Sequence, residues 1–299
     1  MSFMNRIVSP YYPPRARWYS PLLNVGQMLQ RRMGLDRLHL PEGIPVPAFI
    51  ASLLVPGLAF IVRKERLIGQ AILTGYGLLA IVFIVWLGYP VANVAFGLML
   101  SAHVTSIVFL LNPWLAEARF VFRIATGLIL LLVVGGGLYA PLRNELQTKY
   151  LMPLRIRGNV VVVQSFSSPR TIHRGDWIAY SLDSQSVGDA HQEGGAIRAA
   201  AGFGLGPVLA GAGDRIRFTP QTFEINGVAQ KSLPHMPVAG EFVVAEKHWF
   251  LWPDIVISGH GNTAATTIAS AMLQLATVAE KHYIGKPFKR WFGRRQILS

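Results

Sequence analysis

The stretch VVVVQSFSSPRTIHRGDWIAY, residues Val160–Tyr180, determines how the second half of the chain is built. The β-branched run Val160–Val163 has strand character, the serines that follow break it, and Gly175-Asp176 turns the chain into the apolar Trp177–Tyr180. The pattern predicts two strands joined by a serine-rich turn. Serines on such a turn either satisfy nearby backbone groups or, in an enzyme, act as nucleophiles.

Further short apolar runs separated by turn signals follow this stretch, so residues 143–299 are predicted to form a mainly-β domain. The expected strands are Val160–Val163, Asp176–Tyr180, Asp214–Phe218, Thr222–Ile225, Glu241–Glu246 and His248–Leu251. The pair Asn226-Gly227 predicts a tight hairpin, because both residues tolerate the positive φ of a type I′ turn. A helix is expected at Ala264–Ala279.

The composition is that of a membrane protein, with 52% hydrophobic and only 14% charged residues among 299. The chain has no cysteine, which excludes disulfides and thiolate metal sites, and we expect neither a metal nor another cofactor. The net charge of +13 fits cytoplasmic loops that face anionic lipids, so membrane lipids are the expected partner and nucleic acid is not.

The membrane domain is predicted at residues 45–142. Three apolar runs each approach the ~20 residues that a spanning helix needs, namely Leu67–Gly88, Val91–Leu111 and Ile124–Leu142. Pro45–Val62 is shorter and is interrupted by Pro56-Gly57, so it either spans the membrane or re-enters as a hairpin. The cations that flank these segments favour the re-entrant form of Pro45–Val62. They also predict that the chain crosses the inner membrane several times and that residues 143–299 lie on its external face.

Three further segments carry polar groups that bear on the membrane. Residues 1–44 form a basic arm, predicted to lie on the cytoplasmic membrane surface, with a disordered tail as the alternative for Met1–Ser20. His103 lies within a predicted span, where it is either a functional group or a neutral ring hydrogen-bonded near Ser101 or Thr105. In the tail Lys286–Arg295, cations alternate with aromatic residues, which favours contact with lipid headgroups or, alternatively, a solvated terminal strand.

Taken in order, the motifs of the predicted β domain resemble the type I signal peptidases, serine proteases that remove leader peptides at the outer membrane face. Ser165–Asp176 is similar to the segment of that family that carries the nucleophile, and Gly213-Asp214 with Asn226-Gly227 is similar to a following strand and hairpin. The sequence Ile284-Gly285-Lys286 is similar to the signature that closes the family's domain. The resemblance covers roughly Val160–Phe292 and implies a signal-peptidase fold.

The resemblance also assigns candidate site residues. It implies Ser167 as the nucleophile and Ser165 as the hydroxyl that stabilises the oxyanion. The general base of the family, a lysine or a histidine, falls at Gly206, which cannot accept a proton. His173 is the remaining candidate base near Ser167 in the sequence, although in the family that position belongs to a turn.

Two functions follow from the β domain, and a third places the role in the helical half, as a scaffold for membrane machinery in preference to a small transporter. The first is a catalytically inactive signal-peptidase-like protein that binds an extended peptide or serves as a subunit of a membrane assembly. The second is an active leader endopeptidase in which Ser167 works with a base from elsewhere. The glycine at position 206 favours the first function.

Overall fold

The computed structural model describes residues 18–32, 45–156, 158–182, 202–253 and 265–296. The chain divides into two compact units. The helical unit comprises Met1–Val82 and Val94–Ala140, and the β unit comprises Phe83–Asn93 and Pro141–Ser299. Only residues 18–32 of the predicted basic arm lie within the described part of the chain.

Three helical segments are long and apolar enough to cross a membrane, namely Arg66–Val85, Pro90–Leu115 and Phe120–Tyr150. They confirm the three predicted spans as apolar helices of sufficient length. The helices of the first half of the chain are α1 (Ser20–Arg32), α2 (Val46–Ser52), α3 (Leu58–Val62), α4 (Arg66–Val85), α5 (Pro90–Leu115), α6 (Phe120–Val134) and α7 (Ala140–Glu145). A π-helical turn at Gly135–Tyr139 joins α6 to α7, and a second one at Leu146–Tyr150 continues the helix beyond the predicted end at Leu142.

The segment that the sequence left open, Pro45–Val62, forms two short helices that pack against each other. The seven residues of α2 and the five of α3 are separated by a break at Leu53–Gly57, where Gly57 has φ +78°. At ~1.5 Å per residue, neither helix is long enough to cross a bilayer by itself. Whether the pair spans or re-enters remains a prediction.

The β unit contains a curled five-stranded antiparallel sheet with the strand order β1-β2-β11-β3-β4. A second antiparallel sheet has the order β7-β6-β5-β8, and two small ladders join β9 to β10 and β12 to β13. The strands are β1 (Leu151–Ile156), β2 (Asn159–Gln164), β3 (Trp177–Leu182), β4 (Gly202–Pro207), β5 (Arg215–Phe218), β6 (Thr222–Ile225), β7 (Val228–Lys231), β8 (Gly240–Val243), β9 (His248–Phe250), β10 (Thr277–Ala279), β11 (Tyr283–Pro287), β12 (Arg290–Trp291) and β13 (Arg294–Arg295). One helix, α8 (Ala265–Ala276), precedes β10.

The run Val160–Val163 is buried along its whole length, which explains why it is continuously apolar and does not alternate with polar residues. The second sheet has its own core, formed by Ile216, Phe218, Phe223, Ile225, Phe250 and Met272 among others. The buried run Val160–Val163 and the core of the second sheet account for the apolar runs that predicted strands in the second half of the chain.

All six predicted strands are present within a few residues, and the Asn226-Gly227 hairpin is confirmed with φ +51° and +82°. The predicted helix Ala264–Ala279 is wrong at its end, because Thr277–Ala279 pairs with β9 as a strand. Strands β1, β4 and β11 were not predicted, whereas β12 and β13 lie in the tail Lys286–Arg295, for which a terminal strand was one of the two alternatives.

Candidate functional site

The serine turn that the sequence singled out follows β2 and lies beside β11 in the middle of the curled sheet. Strand β11 pairs with β2 at Lys286–Gln164 and with β3 at Tyr283–Tyr180. Gly285 permits this close approach, since a Cβ at this position would lie 2.3 Å from the carbonyl oxygen of Gln164. Antiparallel pairing therefore brings the region that resembles a closing signature onto the turn.

Ser167 is held by three hydrogen bonds. Its hydroxyl donates to the carbonyl oxygen of Gln164 at 2.8 Å, and the backbone N–H of Lys286 donates to its Oγ at 3.0 Å. The hydroxyl of Tyr283 lies 2.7 Å from the same Oγ. A serine hydroxyl has one proton and two lone pairs. When the proton goes to Gln164, Tyr283 is the donor of the third bond and both lone pairs of Ser167 are occupied.

None of the three partners of Ser167 is suited to act as a general base. Two of them are backbone groups, and the third is a phenol. Burial raises the pKa of Tyr283, and the hydrogen bond with Ser167 only partly opposes this effect. The Tyr283 hydroxyl is therefore neutral near pH 7.

His173, the candidate base, turns toward Asp176. Its side chain is 83% exposed, and its Nδ1 lies 3.9 Å from Asp176 Oδ2. Its backbone N–H donates to the same oxygen at 3.0 Å, so the residue closes the turn before β3. The structure does not bring the imidazole into a hydrogen bond with Ser167.

Lys286 and Asp176 form an ion pair next to this turn, with Nζ and Oδ1 2.8 Å apart. Partial burial of Asp176 acts to raise its pKa, but the hydrogen bonds from Lys286 and His173 outweigh it and hold the pKa of the carboxyl below its usual value. The Lys286 ammonium is thus bound to a carboxylate, while only its backbone N–H reaches Ser167.

Ser165, the candidate oxyanion donor, has its Oγ covered from solvent and without a hydrogen-bond partner among the described residues. Its backbone N–H donates to the carbonyl oxygen of Tyr150 at 3.3 Å. In this conformation the hydroxyl oxygen is covered from solvent, so it does not present a hydrogen-bond donor at the protein surface.

Gly206, at the position that the resemblance gives to the base, is a buried residue of β4 opposite Ile178 of β3. The nearest side chain to a Cβ built here is that of Leu251, at 3.7 Å, and Leu251 is itself fully buried. The base position is thus an apolar contact between β4 and the segment after β9.

The sequence reasoning missed Tyr283, the one side chain among the described residues that hydrogen-bonds to Ser167. The only signal was its place beside Ile284-Gly285-Lys286. A surface pocket of about 620 Å³ adjoins this region and is lined by Pro169, Glu246–His248 and Ala279–Lys281. Charges of both signs line the pocket.

The intramembrane candidate His103 is fully buried in the helical unit. Its Nε2 lies 2.8 Å from the carbonyl oxygen of Ser52, and its Nδ1 lies 3.1 Å from the hydroxyl of Tyr139. The predicted neighbours Ser101 and Thr105 are instead exposed. The ring therefore binds the break after α2, where a carbonyl lacks its helical partner.

The basic tail forms a short hairpin, β12–β13, on the turn between α4 and α5. Trp291 Nε1 donates to the carbonyl oxygen of Ile84 at 3.1 Å, and the guanidinium of Arg294 donates to that of Val85. The same guanidinium lies 4.4 Å from the ring centre of Trp86 and 5.0 Å from that of Tyr89. These contacts lie within the β unit.

Within the described ranges, no group of three or more His, Asp or Glu side chains is placed to hold a metal ion. No protein-family model matches the chain, and a search of the curated proteins finds no matching relative.

Proposed function

We propose that this chain is a multi-pass protein of the cell's inner membrane whose β unit binds an extended peptide without cleaving it. The observation that carries the proposal is the state of Ser167, whose hydroxyl is engaged by Gln164, Tyr283 and the backbone of Lys286. The resemblance to signal peptidases suggests an extended peptide as the ligand. The residues around Ser167 argue against cleavage of that peptide.

The argument against catalysis is quantitative. A positioned general base contributes about 10²–10⁴-fold to such reactions, and an unassisted hydroxyl near pH 7 lacks this contribution. Gly206 supplies no base, His173 faces Asp176, and the Lys286 ammonium is paired with the same carboxylate. A turn in which both lone pairs of the serine are occupied is well suited to holding two strands together.

The argument for peptide binding rests on the edge of the curled sheet. Strand β4 pairs with β3 on one side and is the last strand in the order. An extended peptide adds to such an edge through backbone hydrogen bonds, while side chains along the edge select it. The Phe203 side chain is 48% exposed on β4 and offers an apolar contact for the peptide.

The membrane assignment rests on the three long apolar helices, which together need a hydrocarbon environment for their exposed leucine, isoleucine, valine and phenylalanine side chains. The cationic loop Arg63–Arg66 favours a cytoplasmic position for the α3–α4 connection. This orientation places the β unit on the external face.

The first experiment tests catalysis. Purified protein in detergent is mixed with a leader-bearing precursor and, separately, with a serine-acylating fluorophosphonate probe. We expect no cleavage and no labelling. Labelling at Ser167 that disappears in a Ser167→Ala variant would establish the alternative, an active endopeptidase with a base of another kind.

The second experiment tests binding at β4. A photo-crosslinking amino acid replaces Phe203, and in a control variant it replaces Val228, which is 59% exposed on the β6–β7 hairpin of the other sheet. We expect a synthetic leader peptide to crosslink at position 203 and to be displaced by unlabelled peptide. Equal crosslinking at both positions, or none at 203, would contradict the proposal.

A further inference from the structure

We propose that the hairpin Phe288–Gln296 is a docking surface for the headgroups of anionic phospholipids at the membrane end of α4. The inference rests on the membrane insertion proposed above for α4, and it is independent of peptide binding. Its basis is the way in which Arg294 and Trp291 fix the hairpin to one end of that helix.

The hairpin is bound to the end of α4 by side-chain donors that pair with carbonyl groups of its last turn. Carbonyl groups of the last helical turn have no partner within the helix and carry partial negative charge. Trp291 and Arg294 donate to two of them, those of Ile84 and Val85. The stacking of Arg294 on Trp86 and Tyr89 adds cation–π attraction. The hairpin is therefore held at the level where α4 ends.

The residues at the end of α4 are of the types that favour the boundary between the membrane and water. Helix α4 has no charged residue between Leu67 and Val85, and the α4–α5 turn that follows it contains Trp86 and Tyr89. Indole and phenol rings favour the interface between hydrocarbon and water. The hairpin adds Phe292 at its tip, 61% exposed, with its ring 5.0 Å from that of Trp291.

The charge of the hairpin selects the ligand. Lys289, Arg290 and Arg295 are exposed, and the segment Lys286–Gln296 contains no acidic residue. Lys289 and Arg290, held beside interfacial rings, present N–H donors to phosphate oxygens at the depth of the headgroups, and Arg295 adds positive charge. A zwitterionic headgroup carries its own ammonium and competes less well, so the surface selects lipids with net negative charge.

The test uses the absence of cysteine from the chain. Single-cysteine variants Phe292→Cys and Val228→Cys are labelled with a donor dye and reconstituted into phosphatidylcholine vesicles that contain a minority of phosphatidylglycerol. Energy transfer is measured to acceptor dyes carried on either lipid's headgroup. At position 292 we expect at least about twofold more transfer to phosphatidylglycerol than to phosphatidylcholine, since each cation near an anionic surface favours it by a factor of about five. At position 228 we expect no preference.

The charge requirement is tested by a triple variant in the 292-labelled background, Lys289→Gln, Arg290→Gln and Arg295→Gln, which should lose the preference. The matched control, Lys231→Gln, Lys247→Gln and Lys281→Gln, removes the same charge from exposed positions elsewhere in the β unit and should keep it. Rising salt should weaken the preference in the unsubstituted hairpin, which tests the inference even if the triple variant does not fold.

Equal transfer to both lipids at position 292 would overturn the inference. Extraction of the membranes with alkaline carbonate separates this outcome from failure of the proposed insertion. A chain that remains in the membrane but shows no lipid preference contradicts only the docking surface.

Discussion

Ser167 joins two parts of the chain that are 119 residues apart in sequence. Its hydroxyl connects the end of β2 to both the backbone and a side chain of β11. Each of these bonds is partly shielded from water, so removal of the hydroxyl leaves several polar groups without a partner. The residue therefore has a structural role that can be measured independently of any reaction.

Substitution Ser167→Ala should lower the free energy of unfolding by about 1–3 kcal/mol, because the Lys286 N–H and the Tyr283 hydroxyl lose their acceptor. The change is measured by thermal or denaturant unfolding in detergent. Tyr283→Phe removes one donor and should cost about 0.5–1.5 kcal/mol. The double variant should show a coupling energy of at least about 0.5 kcal/mol, and strict additivity would contradict the hydrogen bond.

Asp176→Asn tests the ion pair with Lys286 through its pH dependence. The pKa of Asp176 is lowered in the folded protein, so its charge stabilises the fold above the unfolded pKa of about 3.9. This contribution is lost as the pH falls through the folded pKa. Because both side chains are partly exposed, we expect a loss of at most about 1 kcal/mol at pH 7. Unfolding curves for the two proteins should converge as the pH falls through the folded pKa of Asp176, and a constant difference would exclude the pair as the cause.

At the scale of elements, the break between α2 and α3 depends on groups that replace missing helical hydrogen bonds. The Ser52 hydroxyl accepts the N–H of Ala59 at 2.8 Å, and the Ser52 carbonyl lies opposite His103. Tyr139, in the π-helical turn after α6, holds the other ring nitrogen. The break is thus satisfied by the side chains of Ser52 and His103, and Tyr139 orients the imidazole, which suits a polar interruption within an apolar environment.

His103→Ala should destabilise the helical unit by about 1–3 kcal/mol, since it leaves the buried Ser52 carbonyl without its donor and removes one partner of the Tyr139 hydroxyl, which keeps its bond to Tyr76. His103→Gln keeps an amide donor and should recover part of the loss. Ser101→Ala, on the exposed face of the same helix, should change the stability by less than about 0.5 kcal/mol. Thermal unfolding in detergent compares the three variants. Equal losses of stability would show that the His103 ring does not stabilise the break between α2 and α3.

Two glycines of the curled sheet should respond differently to a methyl group. At Gly285 a Cβ would lie 2.3 Å from the Gln164 carbonyl oxygen, so Gly285→Ala should push β11 away from β2 and cost about 1–3 kcal/mol. At Gly206 the nearest atom is 3.7 Å away, and Gly206→Ala should be neutral or stabilising by up to about 1 kcal/mol. Unfolding measurements on both variants test the packing, and the opposite order would contradict it.

At the scale of the whole molecule, the proposed topology is tested by labelling from one side. Single-cysteine variants Arg119→Cys and Lys231→Cys report on the α5–α6 connection and on the β unit, respectively. A membrane-impermeant maleimide added to spheroplasts should label the second variant and leave the first unlabelled until the membrane is opened. Labelling of both variants in intact spheroplasts would contradict the proposed orientation.

The sequence predicted the parts of this architecture that depend on local patterns. The length and hydropathy of the apolar runs predicted the three long helices, and the pair Asn226-Gly227 predicted the hairpin that it forms. Strand β4 was missed because its glycines have low strand propensity. The presence of Gly204 is explained by packing that no local pattern contains, since a Cβ at this position would lie 2.3 Å from the ring of Tyr180.

The candidate site was predicted only in part for the same reason. The motifs located the serine turn and led to Gly206, but the hydrogen-bond partner Tyr283 depends on a strand pairing across 116 residues. The register of β11 is set by the close approach of Gly285 to β2, and a single sequence carries no direct record of that contact. Likewise, the partners of His103 lie 36 and 51 residues away, on other elements.

The contact between Trp291 and Ile84 also has a consequence for the order of events during synthesis. The two residues are separated by 207 positions, and ribosomes add about 5–20 residues per second, so the α4–α5 turn waits roughly 10–40 s for its partner. During this interval the helices can already enter the bilayer, while Trp86 and Tyr89 still lack Arg294. With α4 inserted as proposed, the hairpin Phe288–Gln296 therefore folds onto the end of a helix that is already in the bilayer, and its docking is a late step of folding.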